Sequence, residues 1–409
     1  LIAGSFGLGF LDPLVAIIIS FCCLGVLIYK HVDLGITLNI TALLLALLSL
    51  NWYEIPWIIR QTSTDLSTIS VVSATFGIML LSQLYRETGI MNELSQSLTN
   101  IFNNPKLVVT ILPAIIGLLP VAGGALMSAP LVEADAEKLG LKADKKTYIN
   151  IWFRHTIFPV YPVSQILILA APLMGVTVSS IIIRQVPVVI TMIIVGYIIG
   201  LWKTNPEKDE KRTTRSLISN LKKFILTFLP ILVTIIAVIS SGLDVSIAAF
   251  IGVLVLILIS RPKIEVIKKP FTSWRTYGIA LAAYGAFLLR NVVDTTEFSK
   301  VFGIFLANEG IPSLVLLTLI PVVLAFFVGS PLGAVAISCS MIKGVISFTP
   351  MSSALLYISS YLGYVIAPTH LCLVLTADYF RCNLARLYRY LIPSLTITFA
   401  AAISVYLLV

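Results

Sequence analysis

The chain has 409 residues, of which 58% are hydrophobic and 11% charged, and its mean hydropathy is +1.00. Soluble globular proteins carry about 25% charged residues, so this composition excludes a water-soluble body. The net charge of +9 does not point to nucleic acid. The bases lie in short loops between apolar runs, where they set membrane topology.

Runs of about 20 apolar residues follow one another, each long enough to cross a bilayer as a helix. The opening residues 1–10 read as a short lead into the first span, with no cleavable signal-peptide pattern. The first spans are expected near 12–30, 34–52 and 67–86, followed by an amphipathic connector near 90–103. An interrupted apolar stretch at about 107–139 then reads as a hairpin. A span at about 147–172 is broken near Pro159 and Pro162, and a further span covers 178–202. The polar segment 203–218 contains KTNPEKDEKRTTR, the one strongly charged run, and divides the chain almost in half. Beyond it the order returns: spans near 223–241, 244–260 and 274–292, a connector to about 310, and a hairpin at about 312–345. A span at 350–380 broken near Pro368 and a last span at 384–409 complete the chain.

The recurrence extends to single residues. Phe76-Gly77 with Leu80-Leu81 returns as Tyr284-Gly285 with Leu288-Leu289, at an offset of 208. Pro113 pairs with Pro321, Gly124-Ala125 with Gly333-Ala334, Pro162 with Pro368 and Pro187 with Pro393, in order and with almost no drift. The expected fold is therefore an all-α polytopic membrane protein. It has two inverted repeats, 1–202 and 219–409, joined by a cytoplasmic linker at 203–218. Each repeat holds about five transmembrane helices and one re-entrant hairpin. With the linker in the cytoplasm both termini fall outside. Lys30, Arg86, Lys106, Lys138, Lys142, Lys145, Lys146, Arg261, Lys263, Lys268, Lys269, Arg275, Arg381, Arg386 and Arg389 then lie inside. Only Arg60, Arg184, Arg290, Lys300 and Lys343 lie outside, a strong positive-inside bias.

Gly/Pro-interrupted segments at matching positions of two repeats point to a transporter's binding site. The first hairpin tip contains Gly123 and Gly124 and is followed by Ser128; the second contains Gly329, Ser330, Pro331 and Gly333. Helices that start at such tips present N–H donors and a positive dipole end, which suit an anion. The first broken helix carries Arg154, His155, Thr156, Tyr161, Ser164 and Gln165, and the second carries Thr369 and His370. Ionisable groups at membrane depth are functional candidates. Arg154 also admits a plainer role, snorkelling to the interface, and a lone histidine in a bundle is often only a hydrogen-bonding group. A histidine can carry a coupling proton near neutral pH. The 19 acids lie in loops or near span ends, which disfavours a cation as the substrate. The cysteines Cys22, Cys23, Cys339, Cys372 and Cys382 form no metal-ligand spacing and read as small apolar residues.

This layout resembles the ion transporter superfamily of secondary carriers, in an uncharacterised prokaryotic branch. The shared features are the inverted halves, the hairpin in each and the broken helix after each hairpin, over nearly the whole chain. The Ser-Asn-Thr tip motif of the Na⁺-dependent dicarboxylate branch is absent. The resemblance implies substrate and ion contacts at Gly123, Gly124, Ser128, Gly329, Ser330, Gly333, Thr156 and Thr369. It also implies an elevator motion and a homodimer in the cell membrane, among its lipids. The resulting expectation is an ion-coupled carrier of a small organic or inorganic anion, driven by Na⁺ or H⁺, with no cofactor, no resident metal and no catalysis. The rival classes are a lipid-phosphate flippase and an intramembrane enzyme built on Ser164 with His155 or His370. A channel is disfavoured, because paired broken helices imply alternating access.

Overall fold

A computed structural model describes residues 11–30, 32–102, 104–119, 124–204, 217–296, 311–343 and 345–408. Among the described residues there is no strand. The expected tip residue Gly123, the loop residue His31 and most of the 203–218 linker lie outside them.

The first half contains α1 (Pro13–Tyr29), α2 (Leu34–Ser49), α3 (Glu54–Thr64), α4 (Leu66–Glu87) and α5 (Ile90–Ile101). It continues with α6 (Pro105–Gly117), α7 (Gly124–Lys138), α8 (Ala143–Thr156), α9 (Gln165–Met174) and α10 (Val178–Leu201). The second half contains α11 (Leu217–Ile239), α12 (Val245–Ser260), α13 (Ile264–Thr272), α14 (Trp274–Thr295) and α15 (Ser313–Val328). It ends with α16 (Pro331–Ile342), α17 (Pro350–Ile366), α18 (Leu371–Tyr379) and α19 (Leu384–Leu408). Taking α8–α9 and α17–α18 each as one interrupted element, seven helices among the described residues are long and apolar enough to cross a membrane. Outer helix faces expose Ile183, Ile190 and Ile194 on α10, Leu221 on α11, and Leu254 and Leu258 on the shorter α12; Trp52, Trp57, Trp202 and Trp274 are also exposed. Such tryptophans suit the membrane–water boundary.

Short polar side chains set where several helices begin. The Asp33 carboxylate accepts from the Gly35 and Ile36 N–H groups to cap α2, Asp65 caps α4 and Asp244 caps α12. Thr349 and Ser352 cap α17 reciprocally, with Pro350 in its first turn. The short helices α3 and α13 depart from the expected spans. Each is amphipathic and stands just before a long helix, α4 and α14, and at 11 and 9 residues each is too short to signal a span. Cys22 is exposed rather than buried.

The helices pack in two groups, each drawing on both halves of the chain. In one, α2 packs on α14 as α12 packs on α4; α4 and α14 meet, and α3 lies on α14 as α13 lies on α4. The α2–α14 contact is close because both surfaces carry glycine: a Cβ on Gly35 would sit 2.6 Å from the Gly278 carbonyl oxygen. Polar side chains tie these helices: Asn39 Nδ2 on α2 donates to Leu281 O on α14 at 3.0 Å, and Gln83 Nε2 on α4 donates to Thr276 Oγ1 on α14 at 2.7 Å. In the other group α6 packs on α7 and α8, as α15 packs on α16 and α17; α10 meets α19, and α7 meets α18 as α16 meets α9. Buried donors fix it: Tyr148 OH with Ser394 Oγ at 2.7 Å, Trp152 Nε1 to Met192 O at 2.9 Å and Gln185 Nε2 to Ala354 O at 2.7 Å. Contacts between the groups are fewer, chiefly α14 with α16, α4 with α9 and α5 with α6.

Candidate functional site

Both interrupted elements break at the middle of the second group. After Thr156 the chain makes one 3₁₀ turn, Phe158–Val160, and restarts as a helix at Gln165. After Ile366 it opens over 367–370 and restarts at Leu371. Pro159, Pro162 and Pro368 stand in these breaks, where a proline's missing N–H and its ring prevent helix continuation. A break frees carbonyl groups that need new donors. Two come from α17: Tyr361 OH donates to His155 O at 2.6 Å, and Tyr357 OH to Phe158 O at 3.2 Å.

Between the two helix groups lies a cavity of ≈ 310 Å³. Asp33, Gly278 and Ala282 form its wall on the first group; Arg154, His155, Gln165, Ser330, Tyr361 and Cys372 are among its lining on the second. The first turns of α2, α9, α16 and α18 all reach it, so four positive helix ends point toward one space. At the second hairpin tip, Gly329 closes α15 with φ +65°, a left-handed conformation that favours glycine. A Cβ there would also lie 2.5 Å from Thr369 Oγ1. Ser330 then caps α16, its Oγ accepting from Gly333 N at 3.4 Å, and Pro331 occupies the first turn.

Arg154 is the strongest electrostatic feature. It is only 2% exposed, so it does not snorkel to the surface. Its Nη2 donates to Leu119 O at 3.3 Å, and its Nη1 has no hydrogen-bond partner. Among the described residues it forms no ion pair. An ion held in a low-dielectric interior without a counter-charge costs several kcal/mol.

Arg154, His155, Gly329 and Ser330 line the cavity, and His370 meets His155 edge to face, with ring centroids 4.7 Å apart and planes at 85°. The other expected residues are elsewhere. Ser128 is buried and donates to Asn150 Oδ1 at 2.6 Å, holding α7 to α8. Thr156 donates to Trp152 O within its own helix at 2.9 Å. Ser164 is buried beside Tyr357, and its hydroxyl bonds to neither histidine. Gly333 packs against Leu34 and Val328, and Thr369 is exposed against Gly329. Gly124 opens α7.

Four lining residues escape a reading of the sequence as a site. Asp33 caps a span end and brings a carboxylate to the wall opposite Arg154. Tyr361 and Tyr364 look like ordinary aromatic residues of an apolar helix. Cys372 reads in the sequence as a small apolar residue, yet its Sγ and one ring nitrogen each of His155 and His370 lie within 4.8 Å of one another. The nearby pair H-x-C at 370–372 was the available signal; its third member comes from the other half of the chain.

Fold and site together define a helical membrane protein whose broken helices meet at a cavity carrying a buried positive charge. The chain belongs to the family described as "Protein of unknown function (DUF401)", which it matches over residues 13–409. Its fold is similar to that of the YdaH transporter of Alcanivorax borkumensis, a crystal structure described as revealing an unusual topology. The TM-score is 0.64 at 14% identity, covering 87% of each chain. No curated protein matches the chain in sequence.

Proposed function

We propose that this protein is a secondary transporter of a small anion, an organic acid or an oxyanion, held at Arg154 where the broken helices meet. The observation that carries the reading is the buried Arg154 guanidinium, which faces a cavity and has no ion-pair partner among the described residues. An anion there would satisfy the free Nη1 and meet the converging helix N-termini. The cavity is at the small end of the range for ligand sites, about 300–1,000 Å³, which suits an anion of a few heavy atoms. Asp33 is the one acid on the wall among the described residues. It is the candidate contact for a coupling Na⁺ or H⁺.

The exchange of packing partners between the halves supports two inverted repeats, and the division into two groups supports an elevator motion of the α6–α10/α15–α19 group against the other. Helices α6 and α16 have 13 and 12 residues, about 20 Å at 1.5 Å per residue, short of the roughly 30 Å hydrocarbon core. That favours re-entrant hairpins. Pairs such as Lys269–Glu87 and Lys146–Glu137 on the basic side, and Lys343–Asp294 on the other, join groups that the proposed topology puts on the same side. The cavity lies toward the starts of α2 and α14, the basic, cytoplasmic side in this reading, so the conformation is inward-facing. The proposal carries with it membership of the ion transporter superfamily, a place in the cell membrane and a homodimeric assembly.

The test is thermal unfolding of the purified protein with a panel of carboxylates and oxyanions, each with and without Na⁺ and at two pH values. A ligand of the native state raises apparent stability by mass action. One anion that stabilises the wild type and not Arg154→Met supports the proposal. A response confined to lipid phosphates would replace it with a flippase.

A further inference from the structure

The cluster of His155, His370 and Cys372 is not used by the anion reading, and its chemistry is different. We propose that these three side chains form a binding site for a borderline metal ion of the Zn²⁺ type, with a fourth coordination position open to the cavity. The proposal does not rest on the anion reading, since Arg154 is not a ligand.

The two imidazoles are already oriented for this role. His155 Nδ1 lies 2.7 Å from Ile151 O, and His370 Nδ1 lies 3.4 Å from Val365 O. A carbonyl oxygen only accepts, so each Nδ1 carries the proton and each Nε2 keeps a bare lone pair. A ring N–H held by a backbone carbonyl is the usual outer support of a metal-bound histidine. His370 is fully buried and its Nε2 makes no hydrogen bond. The Cys372 thiol has one proton and can donate to only one of the two nitrogens. A metal ion would use both lone pairs and the sulfur at once.

The spacing fits with a small adjustment. The donor atoms lie within 4.8 Å of one another, whereas Zn–N bonds near 2.0 Å and Zn–S near 2.3 Å place tetrahedral ligands roughly 3.3–3.8 Å apart. Side-chain shifts of about 1 Å beside the two helix breaks would close that gap. Two nitrogens and a sulfur select Zn²⁺, Co²⁺ or copper over Na⁺, Mg²⁺ or Ca²⁺, which take oxygen ligands. Binding exchanges the thiol proton for the metal: the sulfur keeps the S–H electron pair and the proton passes to solvent. Thiolate, divalent metal and guanidinium together leave a positive site, so an anion or water suits the open position. His155 comes from one repeat and His370 and Cys372 from the other, so the ion would also clamp the two broken helices together.

The test uses the full-length, tag-free protein in detergent, stripped with chelator and titrated with Co²⁺. The expected result is one Co²⁺ per chain with a thiolate-to-cobalt charge-transfer band, displaced by Zn²⁺. Cys372→Ser should lose the band, and His370→Ala should bind at least 10-fold more weakly. The wild-type spectrum decides even if a variant misfolds: no band, or a band that survives Cys372→Ser, overturns the site. Anion-induced stabilisation measured with excess chelator reports on Arg154 separately, so failure of one proposal is distinguishable from failure of the other.

Discussion

Replacing Arg154 by methionine should make the ligand-free protein more stable and its anion binding worse. Methionine keeps an unbranched apolar stem and removes the charge. The wild-type guanidinium has one long hydrogen bond and an unpartnered Nη1 in a buried setting. Exchanging buried ionic groups for packed apolar ones stabilises proteins by about 1–4 kcal/mol, and an ion without a counter-charge stands at the costly end. The ligand side runs the other way. A hydrogen bond to a charged group contributes about 1.5–3 kcal/mol, so losing one bond to the anion weakens binding by about 10- to 150-fold. Unfolding of purified wild type and Arg154→Met, each alone and with saturating anion, reads both effects. The variant should melt higher than wild type without ligand and gain clearly less when it is added. Arg154→Lys should fall between, keeping charge but losing the planar fork. A ligand-free variant clearly less stable than wild type would show that the guanidinium has a partner in the folded protein, and the reasoning would fail.

Gly329→Ala should destabilise by about 1–2 kcal/mol from the left-handed backbone alone, and more from the clash with Thr369; transport should fall, with partial recovery in Gly329→Ala/Thr369→Gly. Normal transport by the single variant would remove the tip from the mechanism. Tyr361→Phe leaves the His155 carbonyl without its donor and should cost about 1–3 kcal/mol in thermal or denaturant unfolding; no change would mean that the break satisfies itself. Asp294 and Lys343 join the two helix groups through an ion pair. Cysteines at both positions, with Cys22 and Cys23 changed to serine, should cross-link and arrest transport until reduced. Full transport while cross-linked would contradict relative motion of the groups.

The helical fold and the places where helices stop were legible because each has a local cause. Apolar runs of bilayer length can only be helices in lipid, and Pro159, Pro162 and Pro368 stop α8 and α17 where they stand. The short helices α3 and α13 were missed, since their amphipathic stripes fall below the length that signals a span. Arg154 and His155 stood out by being polar in an apolar run, and both reach the cavity. Ser128 and Thr156 stood out for the same reason, yet their hydroxyls are used within the helix packing, a distinction that sequence cannot make. Asp33, Tyr361, Tyr364 and Cys372 gave no such signal. Each is unremarkable in its own segment and joins the site only because α2, α8, α17 and α18 converge.

The most direct test of the central claim is counterflow in proteoliposomes. Purified protein is reconstituted with the anion that stabilises it most, and uptake of the labelled anion is followed against the unlabelled pool inside. The account predicts saturable uptake that needs the internal anion and is absent in Arg154→Met liposomes of equal protein content. Uptake that is non-saturable, or equal in the variant, would contradict a carrier whose substrate is held by Arg154.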